Sequence, residues 1–238
     1  MKIKTLICGL LLLTGCTVHP NSEGWTEKTV ETKYLSFQVW EKEITPGEPL
    51  RIYIEGDGNP TPRRPIAQEL AERDPNKNVI YVSRPCQYVW CDECKNPALW
   101  QEERFHNEII TEMKELILYL GQKYQASNID LIGYDGGGTI ALLLATKLPI
   151  NRVITVGGII DTQNYAAEHK IKLNGQNPVT MSDRLAQVAQ VHYIGEKDID
   201  VSRRVTERFV ARLKDPKSAV VKIVPNATHT DWQHLVIE

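Results

Sequence analysis

The chain has 238 residues, of which 42% are hydrophobic and 24% charged, and its formal net charge is −2. That length suits one domain with a sizeable buried core. The near balance of charge gives no footing for a nucleic-acid ligand or a strongly acidic partner.

The N-terminus comes first in chain order and is read apart from the fold. Lys2 and Lys4 precede an apolar stretch, Leu6 to Leu13, that is too short to span a bilayer. Leu13-Thr14-Gly15-Cys16 follows and resembles a bacterial lipobox, in which the cysteine carries lipid and becomes the first mature residue. The plainer alternative is a secretory signal cut nearby. Residues 1–16 are therefore expected to be a lipoprotein signal peptide, 17–33 a polar tether and 34–238 the folded domain. Buried acyl chains, at about 0.8 kcal/mol per CH₂, would hold the protein at a membrane facing the periplasm of a bacterial cell envelope.

Strand-like runs recur at Leu35–Trp40, Arg51–Glu55, Asn78–Ser83, Ile129–Gly133, Arg152–Gly157, Val191–Gly195 and Ala219–Val224. The later runs are rich in Val and Ile and end at Gly or Pro, as fully buried strands do. Helical patterns separate them at Ile66–Arg73, Arg104–Tyr124, Gly136–Leu148 and Val201–Leu213. The alternation predicts an α/β fold with a mostly parallel central sheet and helices on both faces, and sites at the carboxyl ends of its strands. Cys86, Cys91 and Cys94 all lie between the third strand and the long helix. A local disulfide including Cys86 is expected there. A Cys91-x-x-Cys94 zinc site lacks a second ligand pair, so no metal and no cofactor is expected.

The most informative segment is Gly133-Tyr134-Asp135-Gly136-Gly137, between a buried strand and an apolar helix. This is the setting of the nucleophile elbow G-x-S-x-G, with a carboxylate at the nucleophile's place. Asp tolerates positive φ better than most residues and also makes a good helix N-cap, so the residue type fits an active carboxylate and a cap alike. Helix N–H groups and the helix dipole favour its ionised form. Asp57, Gly58 and Gly136 are the candidate oxyanion-hole positions: Gly56-Asp57-Gly58 ends a strand, and Gly136 follows the nucleophile. Asp198 stands three residues past Gly195 where a triad acid is expected, with Asp200 and Glu196 as fallbacks. His229 follows the last strand, whereas His234 is expected within a terminal helix.

From about residue 50 onward the chain resembles a family of small bacterial α/β-hydrolase-like lipoproteins. The resemblance rests on Ile54-Glu-Gly-Asp-Gly-Asn59, Arg84-Pro-Cys-Gln-Tyr88, the triple-glycine elbow, Thr155-Val-Gly-Gly-Ile-Ile-Asp161, Tyr193-Ile-Gly-Glu-Lys-Asp198 and His229 with Trp232. It implies an α/β-hydrolase fold with a minimal cap and ester-type serine-hydrolase chemistry on a small-molecule substrate. The acid and base roles carry over to Asp198 and His229, but the serine's role does not pass automatically to Asp135. An elbow Asp is already anionic and suits attack on an sp³ carbon, because attack on a carboxylic ester would form a mixed anhydride. Against this, the insertion from Gly158 to Gln190 reads as short, polar and poorly helical, and two carboxylates beside His229 would raise its pKa. The readings carried forward are a hydrolase altered by Asp135 and a catalytically silent binding protein of the same fold.

Overall fold

The computed structural model describes residues 24–57, 62, 64–214 and 218–238. Eight strands form one sheet: β1 (Thr26–Glu31), β2 (Ser36–Lys42), β3 (Leu50–Ile54), β4 (Val79–Val82), β5 (Ile129–Tyr134), β6 (Arg152–Val156), β7 (Ala189–Gly195) and β8 (Ala219–Val224). Their order is β1-β2-β4-β3-β5-β6-β7-β8. The two pairings of β2 are antiparallel and the other five are parallel. Because the parallel register sets Ile54 beside Gly133, Tyr134 beside Val156 and Val156 beside Tyr193, the carboxyl ends of β3, β5, β6 and β7 finish at one rim.

The central strands are buried on both faces, which is why they read as continuous Val/Ile runs rather than as alternation. Ile52, Leu131 and Val153 point to a core layer shared with α2 (Asn107–Lys123), α3 (Gly136–Ala145) and α6 (Arg203–Arg212). Their neighbours Tyr53, Ile132 and Ile154 point to the opposite layer, which holds Ile66 and Leu70 of α1 (Ile66–Glu72) and the C-terminal Trp232, Leu235 and Ile237. Every residue of α3 is buried, as its apolar composition predicts.

Several expectations are corrected. The stretch 17–33 does not remain a tether throughout, since Thr26–Glu31 pairs along β2 as an edge strand. Its polar residues face solvent, while Val30 packs on the core. The long helix begins at Asn107, so Arg104 sits in the preceding turn and its side chain is free to reach the rim. His234 lies in a turn, not a helix: the last residues cover the sheet through Trp232, Leu235 and Ile237 without regular structure. The insertion after Gly158 is more helical than its sequence suggests, with α4 (Thr162–His169) and a one-turn α5 (Ser182–Leu185). Asp161 nucleates α4 by accepting the N–H groups of Gln163 and Asn164, a cap the weak apolar periodicity does not reveal. The expected local disulfide joins Cys86 to Cys94 with Cα atoms 5.5 Å apart, and leaves Cys91 as a thiol. No helix among the described residues is long and apolar enough to cross a membrane. The expected lipid-bearing Cys16 and signal segment lie outside the described residues, as does Gly58.

Candidate active site

Asp135 occupies the turn between β5 and α3 at φ 49° and ψ −120°, a strained conformation for a non-glycine residue. The turn is held by three backbone bonds: the Asp135 N–H donates to Val156 O at 3.1 Å, and its carbonyl accepts from Gly138 and Ile159 at 3.0 and 3.2 Å. Glycine is required around it by close approach. A Cβ at Gly133 would lie 2.2 Å from the Gly137 carbonyl oxygen, and one at Gly137 would lie 2.3 Å from that of Ile54. The elbow motif in the sequence therefore is an elbow in space.

Residues 135, 198 and 229 converge there. The Asp198 carboxylate accepts the N–H groups of Asp200 and Val201 through Oδ1, each at 2.9 Å, and its Oδ2 lies 3.0 Å from His229 Nδ1. His229 Nε2 faces Asp135 Oδ1 at 3.4 Å. Trp232 Nε1–H and the Tyr134 hydroxyl both donate to the His229 carbonyl, at 2.6 and 3.1 Å, and so fix the loop that carries the imidazole. Asp200 stays close to this cluster, but it is Asp198 that bonds the ring. Glu196 accepts the Asn226 N–H instead. His192 is buried against Thr155, and His106 is exposed; neither belongs to the site.

Of the candidate oxyanion-hole positions Asp57, Gly58 and Gly136, the first and last present backbone N–H groups to the Asp135 carboxylate. The Asp57 N–H donates to Asp135 Oδ2 at 2.9 Å, and the Gly136 N–H also helps hold the carboxylate ionised. Oδ2 of Asp135 is thus seated on the Asp57 N–H, and Oδ1 points at the imidazole.

The charges follow from this geometry. Burial pushes the Asp135 carboxyl up, but the bond and charge of His229, the Gly136 N–H and the Arg104 charge outweigh it and hold the pKa below the usual carboxylate range. Burial pulls His229 down, yet Asp135 and Asp198 together lift it to about 10. The resting cluster near neutrality is an imidazolium between two carboxylates. Glu55, wholly buried next to the Gly56-Asp57 turn, is pushed up to about 7 by burial. Its oxygens accept the Gly56 N–H at 2.8 Å and the Tyr81 hydroxyl at 3.0 Å, which tie the loop to β4.

Sequence reasoning missed two arginines. The Asp57 carboxylate pairs with both Arg84 and Arg104, the latter at 2.5 Å from Nε, and both guanidiniums lie over the Phe105 ring. Arg84 carried a signal in its position at the carboxyl end of β4, on the active rim. Arg104, in a turn 47 residues along the chain from Asp57, carried none. Tyr165 of α4 also feels the Asp135 and Arg104 charges, and burial is the main reason its hydroxyl is pushed up to about 12.

Among solved structures the chain is similar to an esterase of Pyrococcus furiosus at a TM-score of 0.65 and 13% identity, covering 87% of this chain and 83% of that one. It has this architecture in common with Est1E of Butyrivibrio proteoclasticus, at 0.61 and 12%, covering 86% and 90%. An α/β serine hydrolase homologue of Coxiella burnetii matches at 0.58 and 11%, covering 86% and 89%. The chain has the α/β-hydrolase fold. At such identities the likeness establishes architecture alone. No protein-family model matches the sequence, and no curated protein matches it.

Proposed function

We propose that this protein is a hydrolase of the α/β-hydrolase type in which Asp135 forms a covalent ester with the substrate. The supporting observation is the divided carboxylate: Oδ2 on the Asp57 N–H, Oδ1 toward His229, on a turn whose strain is held by backbone bonds. Asp135 Oδ1 attacks an sp³ carbon, the carbon–leaving-group bond breaks, and the leaving group departs with its electron pair. The carboxylate becomes a neutral ester, and this changes His229. One of the two charges that raise its pKa disappears, so the imidazolium releases its proton to solvent and becomes a base. His229 then takes a proton from water as the water oxygen attacks Cγ of the ester. The resulting oxyanion sits at Oδ2 on the Asp57 and Gly136 N–H groups. Collapse expels the alkoxide, which regains a proton from His229, and Asp198 orients the ring throughout.

The test is single-turnover reaction in ¹⁸O-water with short alkyl halides, epoxides and alkyl sulfates, followed by peptide mass mapping. The expected result is one ¹⁸O in the Asp135 carboxylate. Product formed with no ¹⁸O in the Asp135 carboxylate would overturn the covalent step. The second reading, a silent binding protein of the same fold, is favoured by the resting charges, since the imidazolium starts without base character. It predicts no turnover and no adduct in His229→Gln, a variant in which the covalent reading predicts that an alkyl-enzyme ester accumulates.

The location proposed with this activity is the bacterial envelope, with a lipid on Cys16 as membrane anchor. The lipobox-like run and the Cys86–Cys94 disulfide, which an oxidising compartment permits, support it. Labelling by radioactive palmitate in wild type and its loss in Cys16→Ala is the expected outcome.

A further inference from the structure

A second feature of the rim is not used by the chemistry above. A cavity of about 560 Å³ opens beside Asp57, between the turn that carries Trp100, Glu102 and Arg104 and the segment that carries Ile171 and Lys172. Its walls are fixed to each other by backbone. The Asn174 N–H donates to Glu102 O at 2.6 Å, the Gln176 N–H donates to Phe105 O at 2.9 Å, and Phe105 and Gly175 form a parallel bridge. Gly175 permits that approach at φ +114°, since a Cβ there would lie 2.4 Å from the Phe105 carbonyl oxygen.

The lining sets two basic side chains, Arg104 and Lys172, against two acidic ones, Asp57 and Glu102. Arg104 is 92% buried by its 8% exposure, with Nε on Asp57 and Nη1 on the Gln101 carbonyl at 2.7 Å, while Nη2 has no partner among the described residues. Nη2 is not among the buried polar atoms sealed without a partner, so it is a donor on the lining that a ligand acceptor can reach. Lys172, exposed on the facing segment, makes no ion pair among the described residues. Arg84, which is not on the lining, shares the single Asp57 carboxylate with Arg104, and both guanidiniums also feel the Asp135 charge. Burial and the neighbouring Arg104 charge already draw Arg84 down to about 9, so added negative charge would relieve this crowding. Trp100 and Ile171 supply apolar surface for the remainder of a ligand. The cavity also lies one residue from the reaction, because the Asp57 that lines it holds Asp135 through its own N–H.

We infer that this cavity binds an oxyacid anion, a carboxylate, sulfate or phosphate group on a small aliphatic or aromatic ligand, through Arg104 Nη2 and Lys172. As a statement about substrate it rests on the Asp135 hydrolase reading; as a binding site it stands on the cavity itself. The probes are butyrate, butyl sulfate, butyl phosphate and neutral 1-butanol, titrated into the ¹⁵N-labelled full chain. The signal followed is the Trp100 indole N–H, assigned with Trp100→Phe. The expected result is a saturable shift with at least one anion, at an affinity tenfold or more above that of butanol, and the preferred anion identifies the headgroup. Lys172→Glu is exposed and should fold normally; it is expected to weaken anion binding at least tenfold and leave butanol unchanged. Arg104→Lys should weaken it as well. Equal affinity for butanol, no saturable shift with any anion, or a Lys172→Glu affinity within twofold of wild type overturns the inference. Anion binding without any turnover would leave the cavity assignment standing and remove the hydrolase reading, whereas ¹⁸O incorporation without anion binding would do the reverse.

Discussion

Replacing Asp135 by Asn isolates the charge on which the proposed chemistry turns. Asn also tolerates positive φ, and its side-chain carbonyl can still accept the Asp57 N–H, so the elbow should persist. What disappears is one negative charge 3.4 Å from His229 Nε2. At an effective dielectric near 20, unit charges about 4 Å apart interact by about 4 kcal/mol. That corresponds to a fall of roughly 3 pK units at about 1.4 kcal/mol each. His229, held at about 10 in the wild type, should therefore titrate close to neutrality in Asp135→Asn. Its side chain is only 12% exposed, so solvent screening will not erase the effect. The assay is a proton NMR titration of the imidazole Cε1–H, assigned by comparison with His229→Gln. Asp135→Asn carries the same charge as an esterified Asp135, so this measurement also reports whether His229 becomes a base after the first chemical step. A wild-type His229 that titrates below pH 8, or a variant within half a unit of wild type, would refute the reasoning. The pair has a matching stability signature. His229 is raised, so its contribution is full below its unfolded value of about 6.5 and is lost as pH rises through about 10. Asp135 is lowered, so its contribution is full above about 3.8 and is lost as pH falls through its folded value.

Other outcomes follow from single groups. Burial raises Glu55 to about 7, so the folded state loses stability as pH rises through that value, by about 3 kcal/mol in all. Glu55→Gln should match wild type near pH 4 and exceed it near pH 8 in urea unfolding; equal stability at both would exclude a neutral buried Glu55. His192, drawn down to about 4 by burial, should contribute the opposite slope, with stability full above its ordinary value and falling by about 3 kcal/mol as pH drops through 4. His192→Leu should flatten the acid limb of the stability curve. Peptide mapping without reduction should find Cys86 joined to Cys94 across eight residues and Cys91 open to alkylation. Replacing both bonded cysteines by Ala should cost about 2–3 kcal/mol, as closing so short a loop predicts, and an unchanged unfolding midpoint would count against the pairing.

The sequence by itself determined the alternating elements, the elbow at Asp135, and the placing of an acidic loop after β7 and of His229 after β8. These are legible because each is a local pattern: a strand's apolar run, a turn's glycines, or a polar residue just past a strand that ends on the active rim. Only the tertiary structure decided which carboxylate serves His229, since Asp198 and Asp200 are two residues apart and only one faces the ring. It likewise decided the pairing of Cys86 with Cys94, the edge strand at Thr26–Glu31, and the two arginines gathered on Asp57. The reason is that ion pairs and disulfides depend on distances between segments remote along the chain. No periodicity records those distances, and they exist only once the sheet register has brought the strand ends together.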